Sequence, residues 1–361
     1  MKRGIIFWIA LLMAVALFSP AAVLGQADKT AKTVNIRITG HMPVGQVCST
    51  ACEMFIKEAE RKSNGALKFT YYPAGQLARD VKAFEMCQRG GIEMAQFFTS
   101  RAVGSIPEGD LAYPYFDDPD WYARRMYDES SGGGTFYRII KPKFAKHGLH
   151  LMPGALYSPE HSTITNKPVA KMSDYKGLKI RTSGRAAGVA VDSWGAKSVV
   201  MTSADVYMAL QRGTIDGANS GLTSFRSRKW YEVLNHVQLL EEMVTSLDMI
   251  ANLKWWNTLS PDQQKIIEES LRGAMIWSWQ EAIKEADEDV KFLKEKGLKV
   301  VDLKKTAPGE WEKMRVATLE ALGKFVGPTV GEATWKEHIK MYEGTRNGSR
   351  TWMDVLKTIK W

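Results

Sequence analysis

The sequence predicts an α/β protein of two lobes, each a mainly parallel sheet flanked by helices, with one long helix spanning both. Strand and helix periodicities alternate from Val34 to Phe98, and the same alternation recurs from Leu178 to Arg212. A strongly capped helical pattern of unusual length then starts at Ser260. Repeated strand–helix–strand units at this spacing imply right-handed crossovers and parallel pairing.

The first 25 residues read as a secretory signal peptide. Lys2 and Arg3 precede an apolar stretch from Ile5 to Phe18, Ser19-Pro20 breaks it, and small residues follow up to Gly25. The stretch is too short to span a bilayer, which needs about 20 residues. The mature chain is therefore expected to be exported, soluble and monomeric.

Val34 to Ile38 alternates at period two, as a strand does. Ser49 to Asn64 is amphipathic and stops at Gly65; Leu67 to Tyr72 is a second strand, ending in the turn Pro73-Ala74-Gly75. A helix from Asp80 to Arg89 leads to a short apolar strand, Glu93 to Phe98. Later come a strand at Leu178–Arg181, a helix at Ala186–Trp194, a strand at Ser198–Met201 and a helix at Ser203–Arg212. Ser260-Pro261-Asp262-Gln263 is a helix start with N-cap, first-turn Pro and capping-box Gln, and the pattern runs to about Gly297. The expected organisation is a first lobe from residues 33–157 plus about 247–286, a second from 158–246 plus about 287–330, and an extension over 331–361.

Composition excludes several classes. The chain has 361 residues, 45% hydrophobic and 25% charged, which rules out disorder and a polytopic membrane protein. Its 49 basic against 40 acidic residues give +9, but two of the positive charges belong to the signal peptide. The remainder are interspersed with acids, unlike the clustered basic face of a nucleic-acid binder. No nucleophile elbow, H-E-x-x-H, Walker A or G-x-G-x-x-G motif is present. Ser131-Gly132-Gly133-Gly134 follows no strand and reads as a helix break. His147 and His150 lack a nearby third ligand, so neither metal nor cofactor is expected. Three cysteines, Cys48, Cys52 and Cys87, leave at least one free thiol. A bridge from Cys87 to one of the first two and three buried thiols are both open.

The chemistry concentrates between Lys176 and Phe225. Arg181 ends a strand, at the sheet edge where α/β proteins place ligands, and its planar fork suits a carboxylate. Arg185 opens the next helix, where the dipole favours an anion. Asn219 ends another strand-like segment with a short polar side chain suited to the same ligand.

The run K-G-L-K-I-R, then W-G-A-K-S-V-V-M, D-V-Y-M-A-L-Q-R-G-T-I-D-G-A-N and K-W-Y-E-V resembles the solute-binding proteins of tripartite ATP-independent periplasmic (TRAP) transporters, the C4-dicarboxylate-binding-protein-like family. G-H-M-P after the first strand, Y-P-A-G-Q-L at Tyr72–Leu77 and L-S-P-D-Q-Q-K at Leu259–Lys265 extend the resemblance over about residues 34–297. It implies a two-lobed periplasmic protein of a Gram-negative bacterium that closes on a small organic anion and delivers it to TRAP permease subunits, without catalysis. It also implies that Arg181 pairs with the substrate carboxylate and that Asn219 lines the pocket, with His41, Gln76 and Ser100 at matching positions. Phe116 is a further candidate for the cleft wall. Two departures stand out. His161 occupies the position of a second family Arg, and Ser203 replaces a large apolar residue. Arg185 and His161 are the candidates to restore the second polar contact, and the ligand class then includes sulfonates beside carboxylates. The alternative is a secreted hydrolase or lyase using His161 with Glu160 or Asp248.

Overall fold

The computed structural model describes residues 33–78, 80–102, 104–112 and 116–359. The signal-peptide segment lies outside them, as do Tyr113 and Tyr115. In chain order the first elements are β1 (Val34–Thr39), α1 (Val47–Lys62), β2 (Leu67–Tyr72), α2 (Asp80–Gln88) and β3 (Met94–Phe97). These are the five expected from the N-terminal periodicity, to within two residues. Next come α3 (Pro119–Tyr127), α4 (Lys141–Lys146), β4 (Leu149–Ser158), β5 (His161–Thr165) and β6 (Lys179–Thr182). They are followed by α5 (Arg185–Ser193), β7 (Lys197–Val200), α6 (Val206–Gln211), β8 (Gly217–Gly221), α7 (Leu222–Ser227), β9 (His236–Leu239), β10 (Thr245–Asn252) and α8 (Leu253–Trp256). The C-terminal part is α9 (Pro261–Glu295), β11 (Lys299–Asp302), α10 (Leu303–Thr306), α11 (Pro308–Val330), α12 (Glu332–Thr345) and α13 (Trp352–Thr358).

The strands form two sheets, in the orders β2-β1-β3-β10-β4 and β11-β9-β5-β8-β6-β7. Each sheet is parallel except for one reversed strand. β10 runs against β3 and β4, and β5 runs against β8 and β9. The reversed strands are those that continue the chain from one sheet into the other. β4 passes into β5 through Pro159 and Glu160 alone, and β9 returns to β10 through residues 240–244. The two crossings run side by side: Thr245 pairs with Ser158, and the Glu242 N–H donates to the His161 carbonyl at 3.3 Å.

Ser260 and Gln263 cap α9 reciprocally, at 2.9 and 3.2 Å, and Gly297 ends the helical run in the left-handed region, φ +84°. At 1.5 Å per residue this helix is about 50 Å long. Its first turns bury Ile267, Leu271 and Ala274 with α1 residues, and its last bury Leu293 with Phe225 and Trp230 of the second sheet's core. The C-terminal helices, whose role the sequence left unread, close over the first sheet's helices. Trp121 stacks on Tyr342 at 4.4 Å and Trp279 on Trp352 at 5.6 Å. Arg124 donates to three tail carbonyls, those of Thr345, Arg350 and Arg346.

All three cysteines are free and buried, which removes the Cys87 bridge. Cys48 Sγ lies 3.5 Å from the Leu156 carbonyl. Among the described residues no cluster fit to hold a metal occurs, and no helix is long and apolar enough to cross a membrane.

Candidate functional site

A cavity of about 100 Å³ lies between the two sheets, beside the crossings. Its first-sheet wall comes from loops after β1 and β3: His41, Phe98, Ser100, Arg101 and Asp110. Its second-sheet wall is the carboxyl end of β6 and the start of α5, with Arg181, Ser183 and residues 184–187, joined by Ser203 and Arg228. Tyr157, His161 and Thr245 from the crossings close the floor.

Sequence explains this local arrangement. Gly184, extended at φ −170°, is the N-cap of α5 and has no side chain to satisfy the first-turn N–H groups. Those donors and the positive end of the helix dipole are left at the cavity wall. Arg181, the last residue in register in the parallel β6–β8 pairing, is 1% exposed. Its fork is held by acceptors behind it: Nε donates to the Met201 carbonyl at 3.0 Å, Nη1 to the Asn219 carbonyl at 3.3 Å and Nη2 to Ser203 Oγ at 3.0 Å. Ser203, the departure from the family pattern, thus supplies one of the three braces.

Burial pulls the Arg181 pKa down to about 10, with Tyr157 opposing and Arg101 and Arg228 adding to the depression. The guanidinium stays charged at neutral pH, and no carboxylate is among the charges acting on it. His161 is 3% exposed, and its Nε2 lies 2.9 Å from Thr245 Oγ1. Burial, then Arg181, lowers its pKa to about 3, while Asn219 acts the other way. The imidazole is therefore neutral and leaves the positive charge to the arginines. Among the described residues Asp110 is the one acidic residue of the lining. Burial raises its pKa to about 7 against the pull of Arg185.

His41, Ser100, His161, Arg181 and Arg185 are thus brought together. Three other candidates lie elsewhere. Asn219 is 0% exposed, and its amide donates to Glu242, so it braces Arg181 from behind the wall. Gln76 is exposed in the turn after β2, where its N–H donates to the Pro73 carbonyl. Phe116 is 1% exposed and packs edge-on against Trp194 and Trp311, at 6.0 and 5.4 Å, in the second sheet's core. An aromatic ring in a core of indoles buries more apolar surface there than on a wet cleft wall. Sequence reasoning missed Arg101, Arg228 and Asp110. Arg101 adjoins the candidate Ser100, a usable signal, but Arg228 sits in a basic run like any surface stretch and Asp110 in a loop without a motif.

A hydrolytic dyad does not form. Asp248 accepts from the Gly154 N–H and Ser246 Oγ, Glu160 accepts from Ser162, and the His161 ring bonds Thr245 instead. The other histidine pair is also occupied structurally: His150 stacks on Trp256 at 4.2 Å.

The family model described as bacterial extracellular solute-binding protein, family 7, matches residues 40–322. The sialic acid-binding periplasmic protein of Vibrio cholerae is 26% identical over 259 residues, covering 71% of this chain and 79% of that protein. The C4-dicarboxylate-binding periplasmic protein of Rhodobacter capsulatus is 23% identical over 285 residues, covering 76% and 81%. A TRAP periplasmic solute-binding protein of Ochrobactrum anthropi superposes with a TM-score of 0.78 at 20% identity, covering 88% of this chain and 98% of that one. The fold, the cavity between the sheets and the match over most of the chain agree: this protein belongs to bacterial extracellular solute-binding protein family 7, and it is a transport solute-binding protein rather than an enzyme.

Proposed function

We propose that this chain captures a small organic acid between its two sheets in the periplasm and delivers it to a TRAP-type permease. The observation that carries this reading is Arg181: a buried, charged guanidinium braced by three protein oxygens and lining the cavity without a carboxylate acting on it. A buried cation without a counter-charge is costly, and a ligand carboxylate or sulfonate offsets that cost. The names of two relatives point the same way, one binding sialic acid and the other C4-dicarboxylates.

The two crossings at residues 158–160 and 240–245 are the natural hinge. A ligand touching His41 or Ser100 on one wall and Arg181 on the other binds the closed form better, and so populates it. His161 and Arg185 are the polar neighbours proposed to complete the anion's shell. Residues 1–25 are proposed as the export signal, so the secreted protein is expected to begin at Gln26. The test is a thermal-shift and calorimetric screen of the mature chain against small carboxylates and sulfonates, since a ligand of the native state raises its melting temperature. A chain unmoved by every organic acid at millimolar concentration contradicts the proposal. Delivery is tested by uptake into vesicles holding the cognate membrane subunits, with and without this protein.

A further inference from the structure

We propose that Asp110 selects the ligand: the cavity takes an organic acid that also carries a hydroxyl or N–H donor, and turns away a plain dicarboxylate. This rests on the reading of the cavity as an organic-acid site and narrows it. Asp110 lies on a short 3-10 helix, Pro107–Ala112, is 4% exposed and lines the cavity. Its acidic neighbours are each committed elsewhere. Glu108 pairs with Lys143 at 2.5 Å and Asp117 with the buried Arg125 at 2.7 Å. Among the described residues nothing donates to the Asp110 carboxyl. Arg185 acts on it only at a distance, with its own guanidinium 4.9 Å from the Phe325 ring.

The Asp110 carboxyl meets water only through the cavity, so a ligand that expels that water without a donor of its own leaves the carboxyl unpaired, and a donor-bearing ligand does not. A site of this kind discriminates strongly against an analogue lacking the donor, because the buried acceptor is then left unpaired. Above about pH 7, where the Asp110 carboxyl is ionised, a second ligand carboxylate at the same place meets a like charge instead. The position matters as much as the chemistry. Arg181 belongs to the second-sheet wall and Asp110 to the first-sheet wall. An acid held by its carboxylate on Arg181 and by its donor on Asp110 bridges both, so the donor is also what couples binding to closure.

The test is calorimetric titration at pH 8, above the Asp110 pKa of about 7, of the wild-type chain and of Asp110→Asn with D-glucuronate, L-pyroglutamate and succinate. Expected is binding of a donor-bearing acid at least about tenfold tighter than succinate in the wild type, and a ratio reduced about tenfold or more in the variant. Succinate binding the wild type as tightly as the other two overturns the proposal and needs no variant. A folded Asp110→Asn protein with an unchanged ratio overturns it as well. If the wild type binds none of the three, the acid that raises its melting temperature in the wider screen is titrated beside its donor-free analogue, and equal affinities overturn the inference; a screen in which no acid does so overturns the organic-acid reading itself, and this inference with it.

Discussion

Arg181 donates from Nη1 to the main-chain carbonyl of Asn219 at 3.3 Å, while the Asn219 side chain is directed to Glu242. The guanidinium is thus held in one pose by the adjacent strand rather than by another side chain's charge. The two residues that the sequence marks as joint ligand contacts are instead the proposed anion clamp and the residue that supports it.

The clamp predicts how replacement of Arg181 behaves. Arg181→Met is expected to abolish acid binding, and Arg181→Lys to weaken it about 10–100-fold, the range of one or two charge-assisted hydrogen bonds. Unliganded stability is expected to fall little in Arg181→Met, because the buried charge is removed together with its bonds. Calorimetry and thermal melts of the three proteins check this; a large loss of stability with affinity retained contradicts it.

Glu242 predicts a pH dependence of stability. Burial raises its carboxyl to about 8, with Asn219 opposing, well above the ordinary value near 4.3. A raised acid pKa means the native state holds its proton longer than the unfolded chain does. The stabilisation is complete below about pH 4 and is lost as pH rises through 8. Glu242→Gln removes that slope. The melting temperature of the variant relative to wild type is expected to rise from pH 5 to pH 8, by up to roughly 1.4 kcal/mol of stability per pH unit. A difference that stays constant across that range refutes the assignment.

The thiols give an independent check. Cys48, Cys52 and Cys87 are buried and free, and burial is the first cause raising each of them. Thiolate is the reactive form, so all three are expected to resist a disulfide reagent in the native protein. Denaturant is expected to release three titratable thiols in reagent assays. Fewer than three, without reductant, contradicts the unbridged state.

The C-terminal helices predict a mutation far from the cavity. Arg124→Ala removes the donors to the buried Thr345 carbonyl and the half-buried Arg346 and Arg350 carbonyls, of which Thr345 keeps the Gly348 N–H at 3.3 Å. A loss of about 2–4 kcal/mol is expected, read as a lower denaturation midpoint, with acid affinity in the folded protein unchanged within about threefold.

The elements were legible where local chemistry decides them. The capping box at Ser260 and Gln263 announces α9, and period-two alternation announces β1, because neither depends on distant residues. The reversed directions of β5 and β10 were not legible. They follow from the chain crossing between sheets, and no local pattern encodes which sheet a strand joins. Within the site, Arg181 and Arg185 could be read from their places at a strand end and a helix start. Asp110 could not, because its place on the cavity wall opposite Arg181 and Arg185 is set by segments far apart in sequence.

By itself the sequence determined the α/β succession, the long capped helix and a cationic strand end, all set by residues within a few positions of one another. Only the tertiary structure decided that Phe116 belongs to a core with Trp194 and Trp311, that Asn219 supports Arg181 from behind, and that Asp110 faces the arginines across the cavity. Burial and pairing are relations between segments brought together by folding, and those relations give a side chain its charge state and its role.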